Sequence, residues 1–133
     1  MESIKIDLNR IADLLREQCP FIMFAMLNGL DANGQPEWHN NPELSVFISA
    51  DTGTWHALEQ ILPVLKATVP DMFVDVTLLN RVDAVTRFRA IQGICLYVRE
   101  DSGHNYRRFV QQAFLDYRIM RARGRSMGII DND

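Results

Sequence analysis

Two acidic residues on predicted β-strands carry the clearest chemical potential in this sequence. Glu43 opens the alternating segment of residues 43–49, and Asp75 lies in the apolar segment of residues 73–79. If those two strands are neighbours, both carboxylates can face one pocket beside the glycine-containing loop that precedes Glu43. Two carboxylates suit a hard cation such as Mg²⁺, and the backbone N–H groups of such a loop suit phosphates. The pattern therefore favours phosphoryl or nucleotidyl transfer.

Each of these features also has a purely structural interpretation. Glu43 can be a solvated acid at a strand edge. Asp75, inside an apolar strand, needs a partner such as an arginine, a capping role or a metal, because an unpaired buried carboxylate is costly. Gly29 and Gly34 can be plain turn residues, since glycine tolerates the positive φ angles of tight loops.

Hydrophobic periodicity predicts a single α/β domain over residues 1–133, with a short mixed sheet packed by helices. A helix begins at Asp7, a second helix is capped by Thr52 or Thr54, and Pro63 is expected to kink or shorten that second helix. A flexible tail is expected from about residue 123. The predicted elements are a helix at 7–18, a strand at 21–27, a loop at 28–42, a strand at 43–49, a helix from about 54, a strand at 73–79, a helix at 80–90, a strand at 94–98 and a helix at 105–122.

Composition excludes several classes of protein. The chain has 133 residues, of which 47% are hydrophobic and 23% are charged, as in ordinary soluble domains. Its longest apolar run, residues 21–27, is too short to span a membrane. The formal charge of −3 argues against binding nucleic acid through its phosphates. Cys19 and Cys95 show no metal or disulfide spacing, which favours reduced thiols and a cytoplasmic location.

The spacing around the two acids follows a recognisable order. Leu27-Asn28-Gly29-Leu30 ends the first predicted strand, Gly34 lies in the loop, Glu43-Leu44-Ser45 begins the second strand, and Asp75 lies in the third. This order resembles the minimal nucleotidyltransferases of the polymerase-beta superfamily. In that family Phe-Gly-Ser ends a strand, a second glycine follows in the loop, Asp-x-Asp precedes an apolar strand, and a third Asp lies in the next strand. Residues 91–97 also resemble the family's Gly-x-x-Leu-Tyr strand, so the resemblance covers about residues 7–121.

The resemblance implies a nucleotidyltransferase-like sheet and a specific set of site residues. Glu43 and Asp75 would be the catalytic residues and the metal ligands, with Mg²⁺ and ATP as cofactors if the site is active. Because the family includes the antitoxins of HEPN/minimal-nucleotidyltransferase pairs, a HEPN-type toxin is the implied protein partner. The implied nucleotide-binding residues are Asn28, Gly29, Gly34 and Ser45.

Three departures from the family pattern favour a protein without efficient catalysis. Leu30 replaces the phosphate-holding serine, Ser45 replaces the second aspartate of the pair, and Glu43 is one methylene longer than the aspartate it replaces. A two-metal site needs about three carboxylates, and the sequence supplies two in the expected places. The first hypothesis is therefore a degraded nucleotidyltransferase fold that acts as an antitoxin-like or regulatory protein-binding partner.

Two alternatives stay open from the sequence alone. One is a divergent, active, Mg²⁺-dependent nucleotidyltransferase that moves a nucleotide from ATP to a protein or an RNA. It would need a replacement carboxylate, for example Asp31 or Asp51, near Glu43 and Asp75. The other is a self-associating module that forms a homo-oligomer and has no ligand.

Overall fold

A computed structural model describes residues 6–31, 34–35 and 41–126 of the chain. Within those residues the elements follow the order predicted from the sequence, and the predicted α/β class with a mixed sheet is confirmed. The elements are α1 (Leu8–Gln18), β1 (Ile22–Asn28), β2 (Glu43–Ile48), α2 (Thr54–Thr68), β3 (Asp75–Leu78), α3 (Ala84–Ile91), β4 (Ile94–Val98) and α4 (Gly103–Ser126).

The strands of the described chain form one sheet in the order β3-β2-β1-β4. β1 runs antiparallel to both β2 and β4, whereas β2 and β3 are parallel and are joined by the crossover helix α2. This arrangement brings the end of β1 and the starts of β2, β3 and β4 to the same edge of the sheet. Asn28 pairs with Glu43, and Glu43 pairs with Asp75.

Helices cover both faces of the sheet. The alternation along β2 sends Leu44, Val46 and Ile48 into the core that α1 and α2 close, as the sequence predicts. Phe47 faces the other way, into an aromatic core shared with α3 and α4. There the ring of Phe24 stacks on Phe47 with centroids 5.0 Å apart. β1 lies between two strands and under helices on both faces, which explains its nearly uninterrupted apolar sequence.

The start of α2 differs from the sequence prediction. Gly53 is the N-cap residue, and neither Thr52 nor Thr54 caps the helix through its side chain. Pro63 does not shorten the helix, which continues to Thr68. Pro63 is exposed, so the carbonyl that loses its intrahelical donor lies on the solvent side. Val64 and Leu65 remain buried in the core and hold the second half of the helix in place.

The third strand is shorter than predicted, and the helix expected at residues 80–90 is divided. β3 ends at Leu78, and a 3₁₀ turn at Leu79–Arg81 follows. The side chain of Asn80 explains the turn, because its amide brackets the backbone of Ile48. Its Oδ1 accepts from the Ile48 N–H at 3.0 Å, and its Nδ2 donates to the Ile48 carbonyl at 2.8 Å. α3 then begins afresh after the N-cap residue Asp83.

The last helix is longer than predicted. α4 begins at Gly103 and continues to Ser126, four residues beyond the predicted end. Residues 127–133 of the predicted tail lie outside the described residues. No helix in the described part of the chain combines the length and apolar character needed to cross a membrane.

The two cysteines lie in different environments, and neither forms a disulfide. Cys19 is buried at the end of α1, where its Sγ donates to the carbonyl of Gln60 at 3.4 Å. Burial raises the pKa of the Cys19 thiol to about 11, because the thiolate would lose its hydration there. Cys95 is exposed on β4.

The N-cap of α3 makes the stability of the protein depend on pH. Hydrogen bonds from Thr86 lower the pKa of Asp83 below its usual value. A carboxyl group with a lowered folded-state pKa stabilises the protein above its unfolded pKa of about 3.9, and that contribution is lost as the pH falls through the folded value. Asp83→Asn keeps a capping oxygen but cannot ionise. We therefore expect wild type to be more stable than this variant near neutral pH, and the difference to shrink below about pH 4. Urea unfolding of both proteins across this range measures the difference, and a pH-independent difference would contradict the assignment.

Candidate functional site

The sheet brings the predicted acidic residues together at one edge. Glu43 and Asp75 are register partners on the adjacent parallel strands β2 and β3. Partners in a parallel pair direct their side chains to the same face of the sheet. The face is the one that also carries Phe47, α3 and α4. The neighbouring-strand condition on which the metal-site hypothesis depended is therefore met.

An arginine from α3 occupies the space beside Glu43. Nη2 of Arg89 lies 3.4 Å from both Oε1 and Oε2 of Glu43, whose side chain is only 19% exposed. The same residue fixes the end of β1, because its backbone carbonyl accepts a hydrogen bond from Nδ2 of Asn28 at 2.7 Å. Sequence reasoning missed Arg89, because its only sequence signal is a place in a helix 46 residues after Glu43.

Asp75 lies in a different environment from the one predicted for it. It opens β3, which is an edge strand, and it is exposed. The expectation that Asp75 is a buried carboxylate in need of a partner is therefore wrong. An edge strand leaves its first residue in contact with water. The side chain of Asp75 makes no ion pair with another described residue, while its backbone N–H donates to the carbonyl of Pro42 at 2.9 Å.

Leu30 and Ser45, which the sequence resemblance aligns with a serine and a second aspartate, are turned into the protein. Ser45 is fully buried, and its Oγ has no hydrogen-bond partner among the described residues. Leu30 packs against the core formed with α1 and α2. Neither position offers a hydroxyl or a carboxylate to a ligand at the edge of the sheet.

Asn28 and the loop glycines have structural roles: Asn28 bonds to a backbone carbonyl, and the glycines adopt positive φ angles. Gly29 has a φ of +88°, and a Cβ at that position would lie 2.9 Å from both the Asn41 carbonyl oxygen and Cα of Pro42. Gly34 also has a positive φ, of +77°, but no heavy atom of a described residue other than its chain neighbours lies within 4 Å of the position that its Cβ would take. The Gly34 N–H donates to the carbonyl of Asp31 at 3.0 Å, within a short turn.

Neither replacement carboxylate completes a metal site. Oδ1 of Asp31 accepts a hydrogen bond from the Gln35 N–H at 3.0 Å, so it stabilises the loop turn. Asp51 follows the far end of β2, and a strand of that length places it roughly 15 Å or more from Glu43. Across residues 6–31, 34–35 and 41–126, no three side chains of His, Cys, Asp or Glu are grouped closely enough to hold a metal ion. The described residues thus do not fit a two-metal centre.

Solved structures supply the comparison with known proteins. A crystal structure of a mutant toxin–antitoxin MntA–HepT complex contains a chain that matches with a TM-score of 0.71 and 20% identity, covering 92% of this chain and 95% of that one. A toxin–antitoxin complex with AMP-PNP matches with a TM-score of 0.69 and 17% identity over the same shares. The chain has the fold of a minimal nucleotidyltransferase.

A third solved structure extends the same fold likeness. It is a tri-AMPylated HEPN toxin from Shewanella oneidensis in complex with an MNT antitoxin, and it matches with a TM-score of 0.63 and 16% identity, covering 90% of this chain and 91% of that one. No protein-family model and no curated protein matches the chain. The minimal-nucleotidyltransferase fold is therefore recognisable here from structure and from short motifs, at identities of 20% or below.

The two loop glycines provide a matched test of this geometry. Gly29→Ala forces a positive φ on alanine and also drives its Cβ against backbone atoms, whereas Gly34→Ala incurs only the φ penalty. We expect Gly34→Ala to lower the free energy of unfolding by about 1 kcal/mol and Gly29→Ala to lower it by about 2–4 kcal/mol. Urea denaturation of the two variants measures both values, and equal losses would be inconsistent with a close backbone approach at Gly29.

Proposed function

We propose that this chain is a degraded nucleotidyltransferase-fold protein that acts as the antitoxin-like partner of a HEPN-type protein. The observation that carries the proposal is the Arg89–Glu43 ion pair at the edge where catalytic metals would bind. A cation supplied by the protein neutralises the better-protected of the two acids. Among the described residues, this edge has no third carboxylate of the kind that a two-metal reaction uses.

The ion pair opposes metal binding for an electrostatic reason. A guanidinium remains positively charged at every physiological pH, so a divalent cation approaching Glu43 is repelled by Arg89 or must displace it. Unit charges about 4 Å apart interact by about 4 kcal/mol near a protein surface. The Arg89 side chain is 54% exposed, so solvent screens much of that energy. The remaining repulsion between Arg89 and a divalent cation weakens metal binding further. The site already has one carboxylate fewer than the pattern of the family it resembles.

The conversion of the phosphate-binding positions into packing supports the same conclusion. The Nδ2 group of Asn28 is committed to the Arg89 carbonyl, Leu30 lies against the core, and Ser45 is buried. In an active site each lost electrostatic contact of this kind costs about 3–4 kcal/mol of transition-state stabilisation. From these combined losses we infer that the protein acts by binding a partner and not by nucleotide transfer.

The exposed surface of α4 supports a protein partner. Leu115 and Ile119 are 50% and 42% exposed and lie one helical turn apart, and together they form what we call the α4 apolar patch. Exposed apolar side chains grouped on one helix are typical of interaction surfaces. The similar solved structures are described as toxin–antitoxin complexes, one of them with a HEPN toxin, which is why the proposed partner is of that type.

The first test is thermal unfolding with millimolar ATP and either Mg²⁺ or Mn²⁺. Any ligand that binds only the native state raises its stability by mass action, by about 2.7 kcal/mol at one hundred times its dissociation constant. We expect no metal-dependent rise in the Tm of the wild-type protein. A clear rise with ATP plus metal, absent with ATP alone, would overturn the degraded-site proposal in favour of an active transferase.

An arginine variant shows whether Arg89 is the cause. Arg89→Gln releases Glu43 from its ion pair, and we expect it to bind Mn²⁺ about tenfold more tightly than wild type, equivalent to about 1.4 kcal/mol. Arg81→Gln is the matched control, because Arg81 is also exposed and the substitution removes the same charge at the other end of β3. Titration calorimetry compares the three proteins, and equal gains in both variants would exclude a specific role for Arg89.

The second test concerns the partner. Affinity capture of the tagged chain from its native cell should recover one stoichiometric HEPN-type protein, identified by mass spectrometry. Ile119→Asp, within the α4 apolar patch, should weaken that complex at least tenfold, because a charge would be buried at the interface. Trp55→Asp is the control, since Trp55 is 78% exposed on α2, a helix on the opposite face of the sheet. Equal effects of the two substitutions would count against the patch, and the absence of a HEPN-type partner would remove the basis of the proposal.

A further inference from the structure

A second group of cationic and amide side chains lies on the α3/α4 face of the sheet, well away from Glu43. It surrounds a cavity of about 260 Å³ between β2, α3 and α4. Phe47 lies four residues along β2 from Glu43, so the cavity is roughly 13 Å from the acidic edge. The residues around it are Phe47, Arg87, Asn105, Arg108, Phe109 and Gln112.

Arg87 is a half-buried arginine that has no anionic partner among the described residues. Its Nη2 donates to the carbonyl of Asn80 at 3.1 Å, and its Cζ lies 5.3 Å from the centroid of the Phe109 ring. Its Nε is buried and has no acceptor in the described part of the chain. No carboxylate of a described residue lies within 4.0 Å of the guanidinium. A guanidinium cannot shed its charge, and the buried Nε–H of Arg87 lacks an acceptor, so an anion that reaches this side chain would be favoured on both counts.

α4 directs further polar groups into the same cavity. Asn105, Arg108 and Gln112 are spaced three and four residues apart, which places them on one face of the helix. Arg108 is exposed and, like Arg87, has no carboxylate within 4.0 Å among the described residues. The Nε2 of Gln112 donates to Oδ1 of Asp116 at 2.7 Å, so this acid is engaged one turn further along the helix.

We propose that this cavity binds a phosphoryl group, supplied either by inorganic phosphate or by the phosphates of a nucleotide. Two guanidinium groups match a doubly charged oxyanion in charge, and their planar N–H donors match its oxygens in geometry. The cavity is several times larger than the share of about 30 Å³ that one water occupies. The rings of Phe47 and Phe109, with centroids 5.6 Å apart, form apolar walls that strengthen the charge-assisted hydrogen bonds. The site is independent of the proposed HEPN-type partner.

The direct test observes the Nε–Hε signal of Arg87 by NMR. Titration with inorganic phosphate, against sodium chloride at matched ionic strength, should shift this signal in a saturable way, because the buried Nε gains its acceptor. AMP and ATP without divalent cations form the second arm. Tighter binding of a nucleotide than of phosphate identifies the nucleotide as the source, and tighter binding of phosphate identifies the free ion. The absence of a saturable shift in both arms would overturn the proposal.

Variants of two neighbouring arginines distinguish phosphate binding in the cavity from attraction of phosphate by the net charge of the protein. Arg108→Gln removes a cation that lines the cavity, and we expect about tenfold weaker phosphate binding. Arg107→Gln removes the same charge from an exposed position on α4 that does not line the cavity, so its affinity should equal that of wild type. Both residues are exposed, so both variants should fold. Equal weakening in the two variants would mean that the anion responds to net charge and would refute a built site.

Discussion

The pairing of β2 with β1 on one side and with β3 on the other determines where the polar residues at the candidate site lie. Because β1 is antiparallel and β3 is parallel to β2, Asn28, Glu43 and Asp75 meet at one edge of the sheet. The parallel pair requires the crossover helix α2, which covers one face. The other face is left to α3 and α4, which supply the arginines that give this face its electrostatic character.

On the face of the sheet that α3 and α4 cover, arginine side chains lie beside the strand residues. Arg89 approaches Glu43 at the edge of the sheet, while Arg87 lies against Phe109 and donates to the carbonyl of Asn80 nearer the far end of β2. The two side chains are separated by one residue on α3 and reach two different sites, because successive helix positions differ by about 100° in direction. A short helix packed over a sheet can thus place one arginine beside a strand-borne acid and a second arginine at a separate cavity.

Much of the fold could be predicted from local patterns. The helical spacing of Leu8, Ile11 and Leu15 and the alternation from Glu43 to Ile48 report which side of each element is buried, and burial is a property of each element by itself. The predicted element boundaries were wrong where a side chain forms hydrogen bonds with a distant part of the backbone. The bracket that Asn80 forms on Ile48 joins residues 32 positions apart and converts a predicted helix start into a 3₁₀ turn.

The sequence by itself determined the order of the elements, the faces they bury and the presence of an acid on each of two strands, because periodicity and residue type are local properties. Only the tertiary structure decided how exposed each acid is and which side chain it contacts. Asp75 is exposed because β3 pairs on one side only, and Glu43 is engaged because α3 returns Arg89 to it across 46 residues. Strand order and long-range ion pairs depend on which distant segments come into contact when the chain folds. The periodicity of one sequence describes each segment separately, so it does not predict those contacts.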